Sequence, residues 1–236
     1  MAFSTPRKER PDPADLDLKD GTVTRVAQQK KDLDRASVFI NGEFAFGLAV
    51  DLVIEAGLRK GVALTAERQR ELLVRQETFA AKASALAGIA NRARTAEEVR
   101  RSLAKKGFAE PVVEDTVADL EQLGLVDDAA YARAFVRGRF EARGYGPARL
   151  RQDLQRKGVD RTTIDAALDE LTDAEDLGSE AQAQAEKKWR ALRSEDDVRK
   201  RKKKTMDFLV RRGFGFDTAR EAVDRVAEGD DELWED

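Results

Sequence analysis

The chain of 236 residues is 38% charged and only 6% aromatic, a balance typical of thin, modular proteins in which each unit buries one stripe against its neighbour. Cys and His are both absent from the sequence. Their absence excludes disulfides, thiolate chemistry and the side chain most often used as a general acid, base or metal ligand. An enzyme would have to work with carboxylates and Lys, so we expect a non-enzyme without a cofactor.

The net charge of −3 argues against a general nucleic-acid coat, but the charges are unevenly distributed. Basic residues concentrate in residues 92–106, 133–157 and 199–212, whereas residues 228–236 form an acidic tail. Segregated charge favours an interaction face, and solvated helix faces are an equally weighted alternative.

The N-terminal residues lack the features of a secretory signal, because they are polar and no apolar segment follows them. The most apolar stretch, residues 44–54, is interrupted by Asp51 and is too short to span a bilayer. We therefore expect a cytoplasmic protein that does not enter the membrane.

Residues 1–20 are rich in proline and poor in apolar residues, which predicts a disordered arm. Strand-like alternation follows at 21–29, and two β-prone runs at 35–46 flank Asn41-Gly42, the strongest short hairpin signal. Apolar spacing at 50–54 predicts a short helix that ends at Gly57. Residues 21–64 are thus predicted to form a small module of a β-hairpin and a short helix.

A long helix is predicted from Thr65 toward Ile89, and the sequence then remains helical to Val226. One motif occurs three times in this part, as LAKKGF at 103–108, LQRKGV at 154–159 and LVRRGF at 209–214. Each copy has a core Leu, two cations at the negative end of the helix dipole, and Gly at the position after the helix. The spacing of roughly fifty residues indicates an internal repeat.

The helices around each copy repeat as well. A helix precedes each copy, at 79–93, 129–143 and 179–192, and capping boxes at Thr95 and Ser194 and a Pro at position 147 mark further helix starts. An apolar helix face follows each copy. These faces consist of Val113, Val117 and Leu120, of Ile164, Leu168 and Leu171, and of Ala219, Val223 and Val226.

We therefore predict a mainly α fold with three tandem three-helix repeats that form an elongated curved array after the N-terminal module. The predicted segments are the arm at 1–20, the module at 21–64, the repeats at 65–126, 127–172 and 173–227, and the acidic tail at 228–236.

The repeated L-x-[KR]-[KR]-G-[FV] motif resembles that of the RecX family, regulators of RecA. The segment LEQLGLVDD at 120–128 with Tyr131-Ala132, the NGEF turn at 41–44 and the LRKG segment at 58–61 are also similar to segments of that family. The resemblance covers roughly residues 21–226. The third repeat departs from it, since residues 181–185 and the lysine run at 200–204 are more polar than a typical core helix.

The resemblance implies a modular protein that lies in the helical groove of the RecA filament on DNA. Such a protein contacts more than one RecA subunit and inhibits recombination, ATP hydrolysis and the co-protease role of RecA. We expect a monomer that contacts DNA phosphate only weakly, if at all.

Two sets of residues are candidates for contacts with RecA or DNA. The first set stands in pairs at helix C-termini, where compensation of the helix dipole, worth about 0.3–1 kcal/mol per charge, is the alternative role. One cation per helix would satisfy the dipole and every copy has two, so we favour a second role in binding. This set comprises Lys105, Lys106, Arg156, Lys157, Arg211 and Arg212.

The second set lies in the middle repeat, where like charges at i and i+4 destabilise an isolated helix by a few tenths of a kcal/mol. An acidic partner would offset that cost, and intramolecular carboxylates such as Glu141 and Asp153 are the alternative. This set comprises Arg133, Arg137, Arg139, Arg143, Tyr145, Arg149 and Arg151.

Asp127 and Asp128 are interpreted as helix-cap residues and not as a catalytic or metal-binding pair. The cationic run at 199–204 is interpreted as a solvated helix face, with contact to DNA phosphate as the minor alternative.

Three other functions remain open at this point. A DNA- or RNA-binding helical repeat protein would bind naked nucleic acid with a steep salt dependence, although few aromatic residues are expected to be exposed for stacking. An enzyme would depend on Mg²⁺ and on Asp127 and Asp128, and a generic helical scaffold would not respond to RecA at all.

Overall fold

The computed structural model describes residues 13–170 and 174–232 of the chain. Most of the predicted arm at 1–20, the end of the predicted acidic tail at 233–236 and residue Leu171 lie outside the described residues. The described residues form a four-stranded sheet followed by helices, and the predicted mainly α fold is confirmed.

The N-terminal module is a four-stranded antiparallel sheet in which the strands lie in the order third, second, first, fourth. One short helix lies between the third and the fourth strand. Asn41 and Gly42 both have positive φ, 51° and 93°, as the predicted hairpin turn requires. Strand β4 was not predicted, because a strand of two residues is too short to show alternation. The elements are β1 (Gly21–Gln28), β2 (Arg35–Ile40), β3 (Glu43–Ala49), α1 (Val50–Glu55) and β4 (Ala63–Leu64).

One face of this sheet is buried against α1 and the start of the next helix. The alternation of β2 places every second residue in the core, and Val38 is fully buried. The apolar core of the module includes Val23, Val38, Phe46, Leu48, Leu52 and Leu72. Lys19 and Asp20, which belong to the predicted arm, are hydrogen-bonded to Gln69 and Ala66 at the start of that helix.

Three groups of three helices follow, so the predicted repeat of a three-helix unit is confirmed. The first group is α2 (Ala66–Asn91), α3 (Ala96–Lys105) and α4 (Glu110–Gln122). The second is α5 (Asp128–Arg143), α6 (Pro147–Arg156) and α7 (Arg161–Asp169). The third is α8 (Ala174–Ala191), α9 (Val198–Arg212) and α10 (Phe216–Glu232).

Local capping signals explain most of these boundaries. The predicted cap at Thr95 is confirmed, since its Oγ1 accepts a hydrogen bond of 3.1 Å from the Glu98 N–H. The predicted start at Ser194 is wrong, because Asp197 caps α9 and accepts a bond of 3.1 Å from the Lys200 N–H. Asp is as good a cap as Ser, and residues 194–196 lie before the start of α9. Helix α10 continues to Glu232, so the first part of the predicted acidic tail is helical.

The predicted apolar faces form the cores of the repeats. In the second group, Leu150, Leu154 and Ile164 are fully buried. In the third group, Ala181 and Ala185 are fully buried and pack with Leu209 and Val223, so its alanines form a tight core although the unit is polar overall.

The chain divides into two compact units. The first contains the residues up to Ala93 and Val99–Leu125, and the second contains Arg94–Glu98 and the residues from Val126 onward. The first turn of α3 therefore belongs with the second unit. Within the described parts of both units, no helix has the length and apolar character needed to cross a membrane.

Candidate functional site

The two cations of the repeated motif have different environments, and the second cation of each pair makes internal contacts. Lys157 Nζ lies 2.9 Å from Glu98 Oε1 and 5.4 Å from the centre of the Tyr131 ring. Burial alone would lower the pKa of Lys157, but hydrogen bonds with Tyr131 and Glu98 outweigh it and hold the pKa above the ordinary lysine value. Lys157 therefore has a structural role in the second unit.

Arg212 occupies the same position in the third copy and also points inward. Its Nη1 donates to the carbonyl oxygens of Arg143 and Gly144, where α5 ends, and its guanidinium lies 4.7 Å from the centre of the Phe208 ring. In the first copy, Lys106 Nζ donates to Ser84 Oγ. Each second cation thus binds a neighbouring helix.

The first cation of each pair is exposed at the surface. Arg156 forms an ion pair with Asp153 one turn earlier. Lys105 and Arg211 have no ion pair among the residues that the structure describes. Lys105, Arg156 and Arg211 are therefore accessible to a partner, as is the exposed Lys106.

In the second and third copies, backbone carbonyl groups at the end of the motif also accept hydrogen bonds from the start of another helix. Gly146 N–H donates a bond of 2.8 Å to the Arg212 oxygen, and Ala148 N–H donates a bond of 3.1 Å to the Gly213 oxygen. In the same way, Thr95 Oγ1 donates a bond of 2.7 Å to the Lys157 oxygen at the start of α3. The carbonyl groups that end one helix are thereby satisfied at the N-terminus of another.

Glycine makes these close contacts possible. A Cβ at Gly146 would collide with the backbone of Gly213, and a Cβ at Gly158 would collide with the side chain of Glu97. The sequence pattern explained the motif glycines only by the backbone conformation after a helix. It did not reveal the contacts, because the contacting residues are far apart along the chain.

Helix α5 has an arginine-rich exposed face, as the like-charged spacing predicted. Arg133 Nε lies 4.0 Å from Glu170 Oε2, which is a weak ion pair between exposed groups. Arg137 is exposed and has no ion pair within the described residues. Arg139 lies against the Phe135 ring, with its guanidinium carbon 5.3 Å from the ring centre.

Tyr145 lies among several guanidinium groups just after α5. The guanidinium carbon of Arg149 is 5.3 Å from its ring centre, and that of Arg212 is 5.9 Å away. A hydrogen bond with Arg143 lowers the pKa of Tyr145 below its ordinary value; partial burial opposes this effect, and the charges of Arg143, Arg149 and Arg139 add to it.

Two further predicted residues are paired within their own repeat. Arg151 Nη2 lies 2.7 Å from Asp165 Oδ1, and this bond holds the pKa of Asp165 below its ordinary value. Arg149 Nε lies 3.5 Å from Asp153 Oδ2, too far for a well-formed hydrogen bond. The structure thus groups Arg143, Tyr145, Arg149 and Arg212 and leaves Arg133 and Arg137 on the open face of α5.

The group around Tyr145 borders a cleft of about 370 Å³ beside the ends of α5 and α9 and the second half of α8. Lys187, on α8, is part of its wall and was not predicted as a site residue. Its position in an amphipathic helix offered no signal, because only the fold brings α8 beside the end of α5. The principal residues of the cleft wall are Glu141, Arg143, Tyr145, Gln184, Lys187 and Arg212.

Asp127 and Asp128 each accept a hydrogen bond from a backbone N–H at the start of a helix. Asp127 caps α5 by accepting a bond of 2.8 Å from the Ala130 N–H, as predicted. Asp128 Oδ1 accepts a bond of 2.9 Å from the Ala96 N–H at the start of α3. Acidic groups close enough together to hold a metal ion are not found among residues 13–170 and 174–232.

The cationic run at 199–204 is also largely paired. Lys202 binds Asp224, and Lys204 binds Glu195. Arg201 lies against the Trp189 ring, 4.1 Å from its centre, and donates to the Trp189 oxygen. Lys203 is exposed and makes no ion pair in the described part of the chain.

Four RecX family models match the chain in order. The Regulatory protein RecX N-terminal domain matches residues 21–65. The first, second and third three-helix domains of RecX match residues 81–120, 127–168 and 178–223.

Whole-chain relatives and solved structures are similar as well. The Regulatory protein RecX of Clostridium perfringens strain 13 is 30% identical over 87% of this chain and 96% of its own length. That of Halalkalibacterium halodurans is 36% identical over 62% of this chain and 56% of its own. A crystal structure of regulatory protein RecX superposes with a TM-score of 0.71 and 26% identity over 86% of this chain and 99% of that one. The RecX structure from Lactobacillus salivarius has a TM-score of 0.59 and 25% identity over 64% of this chain and 96% of that one. The chain belongs to the regulatory protein RecX family.

Proposed function

We propose that this chain binds the RecA nucleoprotein filament on DNA, in the helical groove, and inhibits the recombinase, ATPase and co-protease activities of RecA. It acts by binding, as a monomer in the cytoplasm, and catalyses no reaction itself. Support comes from its membership of the RecX family and from the four family modules in order along the chain.

The observation that carries the proposal is the exposed arginine face of α5. Arg137 has no internal ion pair among the described residues, and Arg133 has only a long one to Glu170. Like charges at this spacing cost a few tenths of a kcal/mol in an isolated helix, and an acidic surface on a partner would offset that cost.

Several weak contacts on one chain can produce useful affinity for a filament. Once one repeat is bound, the others are held near their own sites, so their binding becomes intramolecular. Exposed cations such as Lys105 and Arg211 recur in the motif and provide such contacts. Binding to the filament is then strong while binding to free RecA is weak, and salt weakens both.

The test is RecA ATP hydrolysis on single-stranded DNA, with RecA from the same source and this chain below the RecA concentration. We expect inhibition by the natural chain, and a loss of most of it in Arg133→Glu/Arg137→Glu. Arg199→Glu/Lys203→Glu is the matched control, because it reverses two exposed cations at i and i+4 on another helix. A lack of inhibition even at equimolar natural chain would contradict the proposal.

One observation favours the alternative of a nucleic-acid-binding protein. Arg25, Phe39 and Phe44 are neighbours across β1, β2 and β3, and the Arg25 guanidinium carbon is 3.8 Å from the centre of the Phe39 ring. Phe44 is 60% exposed. Bases of single-stranded nucleic acid stack on exposed aromatic rings beside cations.

A further inference from the structure

The cleft beside Tyr145 is a concave site in the second unit. Its volume of about 370 Å³ accommodates one side chain with its adjoining backbone. Its floor is Gly144, the left-handed residue that ends α5. A Cβ at Gly144 would collide with Glu180 and Gln184 of α8, so the end of α5 lies tightly against that helix.

The charge of the cleft wall is mainly positive, and it is only partly compensated. Arg143, Lys187 and Arg212 line the cleft with one carboxylate, that of Glu141. Arg212 already donates to backbone carbonyl oxygens, and Arg143 is hydrogen-bonded to Tyr145. Lys187 makes no hydrogen bond or ion pair with any residue that the structure describes. An anionic group in the cleft would supply this lysine with a partner.

The wall also contains an acceptor without a donor. Gln184 Nε2 donates a bond of 2.8 Å to Glu180 Oε1, which fixes the orientation of the amide group. Gln184 Oε1 is consequently left shielded from solvent and without a hydrogen-bond donor among the described residues. A buried acceptor of this kind is stabilised by a ligand that brings an N–H group.

Together, the lack of a partner for Lys187 and the lack of a donor for Gln184 Oε1 favour a peptide over a nucleic-acid backbone as the ligand. A phosphodiester has oxygen acceptors but no donor for Gln184 Oε1. An acidic residue in a peptide has a carboxylate for the cations and main-chain N–H groups beside it.

We infer that the cleft binds a carboxylate side chain carried by an extended peptide segment of a partner protein. Lys187, Arg143 and the Tyr145 hydroxyl hold the carboxylate, and a main-chain N–H of the peptide donates to Gln184 Oε1 once binding uncovers that atom. The neighbouring cations that lower the pKa of Tyr145 also make its hydroxyl a stronger donor. The identity of the natural partner rests on the proposed function, in which a RecA subunit supplies the carboxylate.

The test uses the full ¹⁵N-labelled chain and two peptides, acetyl-GEEG-amide and its neutral counterpart acetyl-GQQG-amide. We expect the acidic peptide to shift the backbone amide signals of Gly144, Tyr145 and Lys187 in a saturable titration, and the neutral peptide to leave them in place. Lys187→Gln weakens binding by about two- to fivefold, as expected for one partly solvated ion pair. The matched control is Lys203→Gln, which removes an exposed cation outside the cleft and leaves the titration unchanged.

Three outcomes would overturn the inference: an absence of shifts at these amides, equal shifts with both peptides, or stronger shifts at the same amides with a short oligothymidylate. The result is independent of the ATPase experiment. Peptide binding without inhibition of RecA would support the peptide site and refute the proposed function. Inhibition of RecA without peptide binding would support the proposed function and refute the peptide site.

Discussion

The backbone N–H of Gly146 donates a hydrogen bond of 2.8 Å to the carbonyl oxygen of Arg212, so the end of α9 lies directly on the start of α6. Lys157, at the end of α6, has the same relationship with Thr95, at the start of α3. In the second and third copies, a cation followed by Gly is therefore part of a contact between helices of successive groups. In these two copies the second cation makes the internal contact and the first stays exposed. In the first copy, Lys106 contacts Ser84 of the same group and is itself exposed.

Replacing Gly146 by Ala tests this contact without a backbone penalty. Gly146 has φ −75°, a conformation that Ala adopts freely, so a loss of stability reports the collision with the backbone of Gly213 and Phe214. We expect a loss of about 1–3 kcal/mol, the usual cost of overpacking, in urea unfolding followed by circular dichroism. Gly138→Ala is the control: Gly138 lies inside α5 with open space around it, and Ala there should stabilise the chain by about 0.5–1 kcal/mol. Equal effects of the two substitutions would refute the contact.

Lys157 and Arg156 are adjacent cations with different expected roles. Lys157→Met removes one partner of the mostly buried Glu98 carboxylate and should destabilise the chain by about 1–2 kcal/mol. Arg156→Met removes an exposed ion pair and should change stability by less than about 0.5 kcal/mol. Thermal unfolding of the two variants at neutral pH measures the difference. A larger loss in Arg156→Met would contradict the assignment of the structural role to Lys157.

Asp160 predicts an acid-dependent step in stability. Hydrogen bonds from the side chain and backbone of Thr163 at the start of α7 lower its pKa from 3.8 to about 2. A lowered folded-state pKa adds stability above the unfolded value, and this stability is lost as the pH falls from about 4 to about 2. We expect the difference in Tm between the natural chain and Asp160→Asn to change across this window and to be constant above it. Asn retains the cap, whereas Asp160→Ala also lowers Tm at neutral pH. A Tm difference independent of pH would refute the assignment.

Phe44 separates the proposed function from the nucleic-acid alternative. If bases stack on the sheet, Phe44→Ala should weaken oligothymidylate binding by about tenfold, whereas Leu33→Ala, an equally exposed apolar residue in a loop, should not. If RecA is the partner, naked oligothymidylate binds weakly at physiological salt. Fluorescence anisotropy of a labelled oligonucleotide measures both. Tight binding that depends on Phe44, together with no effect on RecA ATP hydrolysis, would favour the alternative.

Much of the fold could be predicted because its signals are local. The Asn41-Gly42 hairpin, the Thr65 and Thr95 caps and the helix-ending glycines each depend on groups within a few residues of one another. The start of α9 was misplaced because Ser194 and Asp197 are both good caps, and local preference does not choose between them. The candidate site was harder to predict from the sequence. Charge spacing identified the α5 arginines, but it did not show which of them have internal partners.

By itself, the sequence determined the repeat, its helical period and the two cations in each copy, because these properties follow from residue type and spacing along one chain. Only the tertiary structure decided that Lys157 and Arg212 face inward, that Arg137 stays exposed, and that Lys187 joins Arg143 at one cleft. The physical reason is distance along the chain. Partners such as Lys157 and Glu98, or Arg212 and Gly144, are dozens of residues apart, and no local preference encodes them until the helices pack.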